Sequence, residues 1–164
     1  MNRFTAKNQI LLKRNNMDKK KILVVEDDSK SRSNIKYMLE AKNYKVFTAE
    51  SGADGINLAK EIKPDIVINA AASTQVDDCE THQKEAFSIN GHGAGNLSEA
   101  AASIGALLVL FSTDYVFDGT KKRPYIETDK TNPLNQYGAS KLKGEEYVKL
   151  LVPQYKIVRT SWLN

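Results

Sequence analysis

Cysteine, histidine and long apolar runs are nearly missing from this chain, and each shortage excludes a class of protein. The single cysteine, Cys79, can close no internal disulfide and build no cysteine-based zinc cage. Nothing therefore demands an oxidising compartment. The two histidines, His82 and His92, lack the partner spacing of a metal site. No apolar stretch is long enough to span a bilayer. Ile10-Leu11-Leu12 is too short for the core of a secretion signal, and no small-residue cleavage site follows it. The sequence thus reads as a cytoplasmic protein without membrane contact. What is present is ordinary globular chemistry, 41% hydrophobic and 27% charged over 164 residues, enough for one domain with a real core.

The net charge of +4 is concentrated at the start of the chain. Arg3, Lys7, Lys13, Arg14, Lys19 and Lys20 face only Asp18 there. Residues 1–18 are expected to form a flexible basic tail, and residues 19–164 a single folded domain. The tail has no interleaved aromatics and the chain has no reader motif, so nucleic acid is not an expected partner.

The body of the chain alternates strand and helix signals. Lys21 to Val25 is a β-branched run, and Asp27-Asp28-Ser29 behind it can cap a helix whose apolar stripe is Ile35, Met38 and Leu39. Tyr44 to Ala49 predicts a second strand and Ala53 to Lys63 a second helix, stopped by Pro64. Asp65 to Ile68 predicts a third strand. Residues 69–81 read as loop, and 82–104 as helix with weak points at Gly91, Gly93 and Gly95. Leu107 to Phe111 is a fourth strand, 112–134 a long connection, Asn135 to Leu151 a helix and Lys156 to Thr160 a fifth strand. A connection of that length in a compact domain points to function. Strands separated by helices imply an α/β fold with a parallel sheet and right-handed crossovers.

Two families leave their marks. Lys20 to Ile68 resembles a response-regulator receiver domain through Lys21-Ile22-Leu23-Val24-Val25-Glu26-Asp27-Asp28, Ala49-Glu50-Ser51-Gly52 and Lys63-Pro64-Asp65-Ile66-Val67-Ile68. That resemblance implies Mg²⁺ on the acidic pair and a phosphoacceptor aspartate after the third strand. The acceptor position is Ala70, which cannot be phosphorylated. Asp27 and Asp28 remain weak candidate metal ligands, but helix capping and a favourable helix-dipole position account for them better.

From Pro64 to Trp162 the chain resembles the dTDP-4-dehydrorhamnose reductase family of extended short-chain dehydrogenases. The residues that carry this are Asn69-Ala70-Ala71-Ala72, Val76-Asp77, Asn90, Asn96-Leu97, Ser112-Thr113-Asp114-Tyr115-Val116-Phe117-Asp118-Gly119, Asn132-Pro133-Leu134-Asn135, Tyr137-Gly138-Ala139-Ser140-Lys141 and Arg159-Thr160-Ser161-Trp162. The resemblance implies an NADPH-dependent oxidoreductase in dTDP-rhamnose biosynthesis. Thr113, Tyr137 and Lys141 would be catalytic. Asn69 to Ala72, with Lys141, would hold the cofactor, and Val76, Asp77 and Trp162 would face a nucleotide-sugar. Chemistry supports the pattern, since residues four apart share a helix face. An ammonium at position 141 is expected to favour the Tyr137 phenolate and lower its pKa.

Two parts that the reductase resemblance implies are expected to be missing, a substrate-binding lobe after Trp162 and a phosphate turn after the first strand. Dinucleotide folds need a glycine-rich turn after the first strand, so that pyrophosphate reaches backbone amides. Glu26-Asp27-Asp28-Ser29 stands there instead, and NADPH binding is expected to be weak. Pro64 to Ile68 satisfies both families, so a splice at that strand would keep one sheet. The expected fold is therefore a doubly wound, parallel five-stranded sheet, Rossmann- or flavodoxin-like, in order 2-1-3-4-5, built from a receiver-like half and a reductase-like half. Three functions stay open: an impaired nucleotide-sugar ketoreductase, a receiver-like module without its acceptor, and a non-catalytic chimeric scaffold. The last strand is expected to present a bare edge or face, giving a homodimer or exchanged-segment assembly with Trp162 in the contact.

Overall fold

The computed structural model describes residues 19–161. The basic tail and Trp162 lie outside the described residues.

Five parallel strands form one sheet: β1 (Lys21–Val25), β2 (Lys45–Ala49), β3 (Ile66–Asn69), β4 (Leu107–Thr113) and β5 (Tyr155–Thr160), in order β2-β1-β3-β4-β5. This is the order expected from the sequence. The third strand, which suits both families, pairs with β1 from Ile22 opposite Ile66 to Val25 opposite Asn69. The reversal of strand order therefore falls between β1 and β3, where ligands bind in open α/β sheets.

The helices follow from local chemistry. In α1 (Ser29–Ala41) the Asp28 side chain caps the first turn, accepting from Ser31 N at 2.8 Å. In α2 (Gly52–Ile62) Ser51 does the same for Asp54 N, and Lys63 closes the helix at φ 46° before Pro64. The alternation of strand side chains splits the core. Leu23, Val25, Val67, Leu108 and Leu110 pack under Ala59, Leu97, Ala101 and Val148. The opposite face holds a smaller cluster of Ile22, Val24 and Val46, over which α1 lays Ile35 and Leu39. Beyond it, Phe111 and Val158 stand side by side on β4 and β5 and are exposed.

Between β3 and β4 the structure departs from the sequence reading. Val76–Thr81 is not loop but a short helix, α3. The single helix expected over 82–104 is three pieces: α4 (Gln83–Ala86), a π-helical segment (Phe87–Gly93) and α5 (Ala94–Ser103). The wide turn sits at the glycines read as weak points, and it puts the Asn90 carbonyl against α6 (Gln136–Leu151). Gly144 makes room for it, because a Cβ there would collide with the Asn90 carbonyl oxygen. π-bulges of this kind are frequent at functional sites.

Candidate functional site

The site forms at the C-terminal ends of the central strands. Thr113 is the last residue of β4, and a 3₁₀ turn (Asp114–Val116) follows it. The Thr113 hydroxyl accepts from Tyr115 N at 3.2 Å, which fixes the turn and aims the side chain. Across from it, Asn135 caps α6 by accepting from Gly138 N at 2.7 Å, so Tyr137 sits in the helix's first turn. Gly138 allows the helix to approach, since a Cβ would overlap the Tyr115 carbonyl. The Tyr115 and Tyr137 rings meet edge to face at 5.7 Å. One helical turn on, Lys141 is buried and donates from Nζ to the Phe111 carbonyl at 2.7 Å.

These placements set the titration behaviour. Burial pushes the Tyr137 hydroxyl above its ordinary value, and the neighbouring Thr113 hydroxyl only partly opposes this. Sequence spacing suggested the reverse. The Lys141 ammonium is directed to the β4 carbonyl, so the expected lowering is absent. Tyr137 therefore keeps its proton at neutral pH. Burial pulls Lys141 down to about 8, against the pull of the Glu145 and Glu26 carboxylates.

A stability test follows from that lysine. Its folded pKa lies below the unfolded 10.5, so the unfolded chain binds the extra proton between about pH 8 and 10.5. Stability contributed at this position is lowest below about 8 and recovers as pH rises through that window. Urea unfolding at pH 8 and pH 10 should show the wild type gaining on Lys141→Met by ~2 kcal/mol over those two pH units. Parallel pH profiles for the two proteins would contradict it.

A cavity of about 550 Å³ opens on this side, lined among others by Thr74, Val76, Asp77, Thr113, Tyr115 and Tyr137. The structure thus brings two sequence-derived substrate residues, Val76 and Asp77 on α3, together with two catalytic candidates. Asn69 to Ala72 lie to one side, where Ala70 N and Ala71 N both donate to the Val25 carbonyl at 2.9 and 3.0 Å. Asn90 received no role from the sequence, yet it ties the site together. Its amide accepts from Ser73 N at 2.9 Å and donates to the Ser73 carbonyl at 3.0 Å and to Ser140 Oγ at 2.9 Å. Its only signal was its place among the motif residues.

The turn after β1 does not fit a dinucleotide pyrophosphate. Its carbonyls at Glu26 and Asp27 already accept from Arg32 Nη1 at 2.7 and 3.0 Å. The Asp28 carboxylate occupies the N-cap of α1, and bonds from Ser31 hold its pKa low. Burial raises Glu26, and the Asp27 and Asp28 charges add to that, partly offset by the Asp28 backbone N–H. Three carboxylates at this point repel an anion, and the Asp28 carboxylate itself takes the Ser31 amide of the helix N-terminus.

The family of the chain is settled by comparison. Residues 30–164 match the family model described as "RmlD substrate binding domain". The chain belongs to this family. Among curated relatives, the dTDP-4-dehydrorhamnose reductase of Burkholderia thailandensis is 49% identical over 106 residues, covering 65% of this chain and 36% of that protein. Among solved structures, a dTDP-4-dehydrorhamnose reductase from Clostridium acetobutylicum superposes with a TM-score of 0.80 and 42% identity, over 88% of this chain and 54% of the other. The Bacillus anthracis enzyme, solved in complex with NADP, superposes with a TM-score of 0.83 and 35% identity, over 89% and 54%. The chain spans about a third of the length of the curated relatives and about half of the solved ones. The matched span begins at residue 30, so β2, α2 and all of α1 but Ser29, which the sequence reading linked to receivers, fall within the RmlD family match.

Proposed function

We propose that the chain carries the carbonyl-binding and proton-handling part of a nucleotide-sugar 4-ketoreductase of the dTDP-4-dehydrorhamnose type. One observation carries this reading: Thr113 and Tyr137 face the same cavity as Val76 and Asp77. A sugar ketone placed there accepts hydrogen bonds from the Thr113 and Tyr137 hydroxyls. Tyr137 holds its hydroxyl ready there, whereas the Thr113 hydroxyl donates to Asp114 Oδ1 at 3.2 Å and turns to the ketone as charge develops on its oxygen. Tyr137 holds its proton at Oη until the oxygen becomes basic enough to take it. Lys141 braces the tyrosine's helix from below, with its ammonium on the β4 carbonyl.

NADPH is the cofactor that the resemblance to the reductases suggests, and the NADP complex of the Bacillus anthracis relative supports that class. The acidic turn after β1 opposes it, so impaired dinucleotide binding is part of the proposal. A hybrid origin is part of it as well. The order 2-1-3-4-5 is the flavodoxin type, whereas dinucleotide folds run 3-2-1-4-5-6.

The test is a titration with dTDP-4-dehydrorhamnose, followed by NMR, alongside turnover in excess NADPH. Resonances of Val76, Asp77 and Thr113 should shift first. Any turnover should fall about a hundredfold in Tyr137→Phe, the lower end for loss of a general acid. Binding that spares the cavity, or turnover indifferent to Tyr137, defeats the proposal. Self-association is proposed on separate grounds, the exposed Phe111 and Val158 on one sheet face. Light scattering should show mass rising with concentration, and a monomer mass at every concentration would refute it.

A further inference from the structure

Glu145 is a fully buried carboxylate on α6, one turn past Lys141 and two past Tyr137. A charge so placed is costly unless its oxygens are satisfied. Ser112 Oγ donates to Oε1 at 2.7 Å, and Arg159 Nε donates to the same oxygen at 2.8 Å. Arg159 Nη2 donates to Oε2 at 2.6 Å, and Lys149 Nζ reaches that oxygen at 3.3 Å. Ser112 immediately precedes Thr113 on β4, and Arg159 is its register partner on β5. One carboxylate therefore joins the catalytic helix to the strand ends that carry the rest of the site.

The guanidinium reaches further. It lies 5.0 Å from the Phe117 ring, which stacks on Tyr125 at 4.2 Å. The Tyr125 hydroxyl donates to Asp118 at 2.8 Å, so the connection after Thr113 rests on the same arginine.

Adhesion alone would not call for a charge here. A leucine could hold the helix on the sheet without desolvation, and hydrophobic replacements of buried ion pairs are often neutral or stabilising. Apolar contacts, however, tolerate sliding, whereas a bidentate guanidinium–carboxylate pair has one orientation.

We propose that Glu145 is a positioning residue: bound to Ser112 and Arg159, it locks α6 in one register against the ends of β4 and β5, and so sets where Tyr137 and Lys141 stand relative to Thr113.

Glu145, Lys141 and Tyr137 follow at four-residue steps along one face of α6, so a slip at the first displaces the other two. The Tyr115–Tyr137 ring contact and the Lys141 bond to Phe111 both report that register. The inference concerns how the site is held, whatever it binds. Its readouts, a ring contact and the Lys141 midpoint, need no ligand, so its failure and that of the ketoreductase reading are distinguishable.

The test uses Ser112→Ala and Arg159→Lys, both of which keep the Glu145 carboxylate, in the full chain labelled at tyrosine and lysine for NMR. In wild type the Tyr115 and Tyr137 rings should share a strong Overhauser contact, and Lys141 Cε should titrate near 8. In both variants the contact should fall several-fold and the Lys141 midpoint should move, more so in Arg159→Lys. Ser112→Thr, which restores a hydroxyl, should recover both signals. A folded variant with lowered stability but an unchanged ring contact and an unchanged Lys141 midpoint overturns the proposal, because a merely structural bond behaves that way. If Arg159→Lys does not fold, Ser112→Ala decides alone, since it removes one hydrogen bond and no charge.

Discussion

Calorimetric titration with NADPH is expected to show binding weaker by ~10²-fold or more than a reductase with a glycine-rich phosphate turn would give. The magnitude comes from counting bonds. A pyrophosphate on such a turn takes at least two charge-assisted hydrogen bonds from backbone amides, each contributing roughly 1.5–3 kcal/mol. In this chain Asp28 already uses the N-terminus of α1, accepting from Ser31 N, and Arg32 draws the Glu26 and Asp27 carbonyls into a closed turn. The carboxylates add repulsion that salt would screen. Raising the salt concentration should therefore strengthen whatever binding exists, the opposite of an ordinary phosphate site. Replacing Glu26 and Asp28 together by glycine should recover part of the affinity, since it removes two charges and the cap. Micromolar or tighter binding by the wild type would show that the phosphates lie elsewhere.

The strands were legible because the signals are local, whereas their order came from the family resemblances that meet at Pro64 to Ile68. Lys21–Val25, Ile66–Asn69 and Leu107–Thr113 are dense in β-branched and leucine side chains, and each is separated from the next by a helix. Parallel pairing follows from that spacing alone. α3 escaped because Val-Asp-Asp-Cys-Glu-Thr is only six residues long and has no apolar periodicity to detect. The π-helical segment escaped for another reason. Gly91 and Gly93 weaken a helix in any sequence reading, but what widens the turn is its contact with Gly144, more than fifty residues away.

The site divides in the same way. Tyr137 and Lys141 are four apart on one helix, so their common face was visible, and Thr113 stood at the end of an obvious strand. Val76 and Asp77 came from motif likeness, and the structure does place them on the same cavity wall. The direction of the Tyr137 shift was misjudged because spacing shows proximity and not burial. The Lys141 ammonium was assumed to face the phenol, whereas the nearest strand carbonyl takes it. Glu145 and Arg159 could not be matched at all. They lie on different elements, and nothing in either neighbourhood announces a partner.

Glu145→Ala is expected to cost about 3–5 kcal/mol of folding free energy, the usual penalty for leaving the other half of a buried ion pair uncompensated. The substitution strands Arg159, which is mostly buried and has both of its carboxylate bonds here, and leaves Ser112 Oγ without its acceptor. The urea midpoint should fall with little change in slope, because the surface exposed on unfolding is nearly the same. Two further results fix the cause. First, the double variant Glu145→Leu with Arg159→Leu should lie much closer to wild type than Glu145→Ala, since no charge then remains in the core. Second, acid should mimic the single substitution. Burial alone would raise the Glu145 pKa, but the Arg159 and Ser112 bonds outweigh it and hold the group below its ordinary 4.5. A carboxylate with a depressed folded pKa stabilises the fold fully above the unfolded value and loses that contribution as pH falls through the folded one. Wild type and Glu145→Ala should therefore converge in stability below pH 4.5 while staying apart at neutral pH. Equal costs for the single and double variants would mean that the unpaired charge does not govern this part of the core.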